Sequence, residues 1–174
     1  MSRTKTMALA TAAAATAALT IATPASAWTG GSITANLSTP LTVNSSIGTA
    51  TCTSSTLNGS VTAAGALTVS SASIGGCTGT FSISVTPTNL PWGGTLGTSS
   101  ATITGFRVSA NVGVLGGITC IYGGSLSGAV SGSAPSLKAT FSNVTVNKIS
   151  SGSHWFCPGT ATIGGAYTIT GPGL

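Results

Sequence analysis

The sequence predicts an all-β fold, a single antiparallel β-sandwich of Ig-like or Greek-key style built from two disulfide-bearing units. Three observations predict it. Apolar residues recur with period two, as in ALTVSS (66–71) and FSISV (81–85), and no stretch beyond Ala27 has the apolar period of a helix. Gly, Asn, Ser and Pro break these runs about every ten residues, the turn spacing of a sandwich or barrel. Four cysteines fall in two similar windows.

The chain opens with Met1–Ala27, MSRTKTMALATAAAATAALTIATPASA. Arg3 and Lys5 give a basic start, an Ala-rich apolar run follows, and Ala25-Ser26-Ala27 is a small-residue ending. This is the pattern of a secretory signal peptide cleaved after Ala27. A membrane anchor is the alternative, but Thr11, Thr16 and Thr20 interrupt the run and Pro24 stops it. Trp28–Leu174 is then the mature chain, one β-sandwich domain long enough to bury a core, with no membrane span.

Its elements follow in order. SITANLSTPLTVNSS (Ser32–Ser46) reads as a first strand, paired within the molecule or donated to a second one, and Pro40 suits an edge. The first unit is CTSSTLNGSV (52–61), then ALTVSS, then GGCTGTFSISVTP (75–87), where Phe81, Ile83 and Val85 share a face. TNLPWGGTLGTSS (88–100) joins the units. Pro91 there fixes an extended turn, and Trp92 is either a plug at one end of the core or an exposed platform for a sugar ring. In the next strand Thr102, Thr104, Phe106, Val108 and Ala110 share one face, opposite Ile103, Gly105, Arg107 and Ser109. The second unit is CIYGGSLSGAV (120–130), SLKATFSNVTV (136–146) and WFCPGTATIGGAYTITGP (155–172). Ala139, Phe141 and Asn143 share a face in its middle strand. Ala161, Ile163, Gly165, Tyr167 and Ile169 share one in its last.

Both units contain Leu-x-Gly-x-Val after the first cysteine and Cys-x-Gly-Thr at the second, so they read as a tandem duplication of about three strands. In a secreted chain four cysteines point to two disulfides, and the lack of a Cys-x-x-Cys pair argues against zinc. The duplication favours Cys52–Cys77 and Cys120–Cys157, although pairing between units would also respect the symmetry. It bears equally on SGSHWFCPGT (151–160), which sets the single His beside a cysteine. His154-Trp155-Phe156-Cys157 aligns with Ile74-Gly75-Gly76-Cys77, and a bridged cysteine has no thiolate for a nucleophile. His154 therefore reads as a loop histidine, and Asn147–Phe156 as a surface loop dispensable for folding.

The order TCTSSTLNG, GGCTGT, TPTNLPW, TITGFRVS, ITC and a last cysteine before GAYTIT, spanning Ala50–Thr170, resembles small secreted β-rich four-cysteine proteins of actinomycete bacteria. That group has no established activity. The resemblance implies secretion, disulfides and an all-β fold, and it carries no site residue over.

Composition limits function. The chain has no Asp, no Glu and five Lys plus Arg, of which Arg107, Lys138 and Lys148 follow the leader. Three dispersed cations cannot track a phosphate backbone, so nucleic acid is not an expected partner. Without carboxylates there is no glycosidase pair, no Ser-His-Asp triad and no ordinary calcium site. The expectation is a protein that is not an enzyme, with no cofactor and no metal. It would be secreted, extracellular or attached to the cell surface, as a structural or adhesive protein of that surface or of the matrix. The alternatives are a lectin-like module for a neutral cell-wall or matrix polysaccharide and a subunit working with other secreted proteins. Should it bind a ligand, the candidate contacts are Trp155, His154, Trp92 and Tyr122, with Trp28 a further aromatic. Two of these aromatics on one open face would favour sugar binding.

Overall fold

The computed structural model describes residues 27–174. The expected signal peptide, Met1–Ala27, lies outside the described residues except for Ala27. Nine strands follow: β1 (Gly31–Ser45), β2 (Gly48–Val61), β3 (Ala66–Gly79), β4 (Ile83–Pro87), β5 (Trp92–Leu96), β6 (Ser100–Val112), β7 (Ile118–Ser133), β8 (Ser136–Lys148) and β9 (Thr160–Thr170).

β4 and β5 lie one after the other along the same edge of β6, against Val108–Val112 and Ala101–Thr104. Together they fill one strand position. The sheet order is β4-β6-β5-β3-β2-β1-β9-β8-β7, and β6 also pairs with β7. Each position therefore lies beside its chain neighbour, and the β1–β9 pairing completes the ring. The protein is an antiparallel β-barrel of 8 strand positions, not the expected sandwich. Alternation could not separate the two, because both give each strand one apolar face. Length and bending separate them. β7 runs for 16 residues and β1 for 15, against a usual length of about 5–6. Register shifts fall in the middle of the long pairs, at Asn36/Leu41, Asn58/Gly59, Ile103/Phe106 and Phe141/Val144. An extra residue bends and twists a strand, so the sheet curls until its edges meet.

The shifts also correct the face assignments. Ile103 and Phe106 are both buried, so Ile103 lies inside and Thr104, expected to share the face of Phe106, is exposed. Asn143, expected beside Phe141, is exposed with φ 49°, and the interior resumes at Val144 and Val146. β1 pairs with β2 on one side and β9 on the other, so Ser32–Ser45 is used within the molecule. Beyond Val69 β3 has no ladder to β4, although the two lie side by side, which leaves a seam in the wall.

Outside, hydroxyl and amide side chains bond across strands in place of charges. Thr34 Oγ1 donates to Asn58 Oδ1, Thr56 Oγ1 to Asn36 Oδ1, and Asn58 Nδ2 to Ser71 Oγ. Inside, one apolar core runs the length of the barrel. The first four strand positions, β1 to β4–β5, and the last four, β6 to β9, carry one disulfide each. Cys52–Cys77 joins directly paired residues of β2 and β3, and Cys120–Cys157 ties the β8–β9 loop to β7. In the chain-entropy description, spans of 25 and 37 residues are worth about 3.5–4 kcal/mol each. Urea unfolding of the Cys52→Ala/Cys77→Ala and Cys120→Ala/Cys157→Ala proteins should show losses of that order. Two losses below about 1 kcal/mol would contradict the assignment.

Candidate functional site

The two ends of the barrel differ. At the end where β1 begins, the described residues flanking the barrel, 27–30 and 171–174, fold across the opening. Trp28 is buried there and its Nε1 donates to Leu96 O at 2.6 Å, while Gly173 accepts from Gly30 N and Leu174 is buried. Gly65, at φ 87°, lets this plug sit close, because a Cβ would lie 2.7 Å from Leu96 O.

The other end is open. From the mid-height of the barrel to that rim runs a cup of ≈ 120 Å³, walled by aliphatic side chains such as Val43, Ile74, Val85, Val108, Val144 and Ile163. Its rim includes Ile47, Thr80 and Phe81. No Lys, Arg or His lines it. Its lining also includes aromatic side chains. Phe106 packs at a tilt against the buried Trp92, ring centres 5.0 Å apart, and Phe141 meets Tyr167 edge-on at 6.3 Å. Tyr167 donates its hydroxyl to Ser55 Oγ, which donates to Ser73 O, so the phenol is satisfied without water. Beneath Phe141, Tyr167, Leu57 and Ile103 a smaller space of ≈ 40 Å³ continues toward the plugged end.

The Ile149–Gly159 loop lies at the open rim. Ile149 N donates to Ile121 O and His154 N to Thr119 O, extending the wall beside β7. Cys120 and Tyr122 face the cup, and the loop reaches both through Cys157 and through Pro158 O, which accepts from the Tyr122 hydroxyl at 3.1 Å. Lys148 Nζ donates to Cys157 O.

The candidate contacts therefore separate. Trp92 is 1% exposed in the core, Tyr122 lines the cup and Trp28 plugs the far end. Trp155 is 79% exposed, His154 is half-buried with Nδ1 accepting from Phe156 N, and both lie on the rim loop. Only Trp155 of the four candidate aromatics is on an open face. The exposed large apolar side chains among the described residues, Leu115, Trp155 and Phe156, all belong to loops at the open rim. His154 has no thiol beside it, since Cys157 is bridged. The cup itself was missed as a site. Its signal was an apolar face in every strand position with no charge among those faces, but alternation alone does not say that the faces surround a space.

Among the described residues no group of His, Cys, Asp and Glu could hold a metal, and no helix is long and apolar enough to cross a membrane. Fold and site define a class, an up-and-down β-barrel with a plugged base and an apolar cup. The particular family follows from comparison. The chain belongs to the family described as alkane oxidation protein activator PraA/PraB-like, whose model matches residues 1–171. Neither the curated proteins nor the solved structures compared with it include a match.

Burial raises both tyrosine pKa values above 10.0, offset in part at Tyr167 by the bond to Ser55. A raised folded pKa adds stability that is complete below 10.0 and is lost as pH climbs through the folded values. The chain has no side-chain carboxylate to protonate. Tm should therefore stay nearly level from about pH 7 to pH 3 and fall above about pH 10, as followed by circular dichroism. A steep acid drop would contradict this. Separately, Trp155→Ser should change unfolding free energy by less than about 0.5 kcal/mol, because the side chain is solvated.

Proposed function

We propose that the barrel is a non-enzymatic binding protein that holds an uncharged apolar chain in its cup and presents hydrocarbon for oxidation by another protein. The observation that carries this is the apolar lumen, enclosed by the wall and open at one rim. A space of this order accepts a small hydrocarbon, since an engineered cavity of about 150 Å³ takes benzene. The family description, an activator of alkane oxidation, supports the same ligand class. The polar outer face and apolar interior reverse the arrangement of a membrane-spanning barrel, whose apolar band faces lipid. Two disulfides support work outside the reducing cytoplasm, as a secreted or cell-surface protein.

A structural or adhesive protein would assemble through exposed strand edges. Closure removes most of them and leaves the β3–β4 seam. Sugar binding drew on aromatics sharing an open face, and Trp28, Trp92 and Tyr122 are buried.

Binding of an n-alkane is tested directly by headspace partitioning of hexane over the protein. The expected result is saturable uptake by the native chain and its loss in Ala110→Trp, which fills the cup, provided the variant keeps its β spectrum. Equal uptake by both, or none by the native chain, would overturn the proposal.

A further inference from the structure

The lumen is divided. Leu57, Ile103, Phe141 and Tyr167 line both the larger cup and the smaller chamber below it. They form a partition at the mid-height of the barrel, and both spaces are apolar on either side of it.

The partition is held from several strands. Tyr167, on β9, is fixed by the Ser55 hydroxyl on β2. Its ring edge meets the Phe141 ring, on β8, in a T-shaped contact at 83°. On the β7 side Gly128 makes room for that ring. A Cβ at Gly128 would lie 2.9 Å from Phe141 Cδ1 and 2.6 Å from Thr140 O. The one polar side chain of the partition, Tyr167, already donates its hydroxyl proton to Ser55, so the partition has no free donor for a ligand. Its effect on a chain entering from the rim is therefore steric.

We propose that this partition, and Phe141 above all, sets the maximum length of alkyl chain that the barrel buries. The inference rests on the reading of the cup as a hydrocarbon site. A chain enters end-on from the open rim, since Trp28 closes the other end. Its leading methyl stops on the Phe141 and Tyr167 rings. Carbons beyond that length stay at the rim, in contact with water or with exposed loop residues. Removing the Phe141 ring joins the two spaces and lets the leading methyl advance toward Ala139 and Ile169.

The test is a homologous series of n-alkanes from propane to dodecane, with each affinity referred to the dissolved alkane. Each newly buried methylene should raise affinity about four-fold. In the native chain the rise should stop at a definite carbon number. In Phe141→Ala it should continue over several further carbons before it stops. Phe141→Leu and Ile103→Ala give smaller openings and should move the stop by less, and they carry the test should Phe141→Ala fail to fold. A stop at the same carbon number in every folded variant, with binding retained, would overturn the partition and leave the hydrocarbon site standing. Absence of saturable binding in the native chain would instead remove the site on which the inference rests.

Discussion

Pairing of β1 with β9, far apart in the chain, from Thr34↔Thr170 to Asn44↔Thr162, turns a curled sheet into a cylinder. The other ladders join neighbours or near neighbours in the chain, as β6 and β7 do from Ser100↔Ala129 to Val112↔Ile118 through a short loop, and form locally. Once both ladders exist, most main-chain groups of the wall are paired without a second sheet. The lumen exists because of that closure. A sandwich built from the same apolar faces would interdigitate them and leave no enclosed space.

The irregularities that allow closure are not scattered. Shifts involving β1, β3, β6 and β8 recur in alternate strand positions. β1 and β6 open the two four-position halves, and β3 and β8 are the third positions of each. Each half also carries one bridge. The halves differ where the second cysteine falls. Cys77 lies within β3 opposite Cys52, whereas Cys157 lies in a loop beyond β8. The added residues cross to the rim and bring Pro158 O to Tyr122, a buried group that needed a partner.

The strands, their turns and the all-β class were legible in the sequence, because period-two alternation is written residue by residue. The direction of curvature was not. Strict alternation placed Thr104 with Phe106 and Asn143 with Phe141, and one extra residue in each strand undid both. Glycine signalled one of these places, at Gly105 with φ 72°, but Asn143 adopts its positive φ with a side chain present. The candidate site was read at the wrong scale for a related reason. A lone His and an exposed Trp draw attention as chemical groups. Most of the cup's lining is Val, Ile, Leu, Ala and aromatic side chains, each of which reads as ordinary core until closure places them around a common space.

The absence of charge links wall, lumen and ligand. An outer face of Thr, Ser and Asn bonds across strands and to water, so the barrel needs no ion pairs to remain hydrated. An inner face without Lys, Arg or His offers nothing to an ionised group. A carboxylate drawn into the cup would give up its water and find no cation, a cost far larger than the gain from burying its chain. Lys148, which ends β8 beside the rim loop, donates to Cys157 O. On the proposed reading the lumen would therefore keep a carboxylate out of its interior by what it lacks, and would set chain length by the rings at its floor.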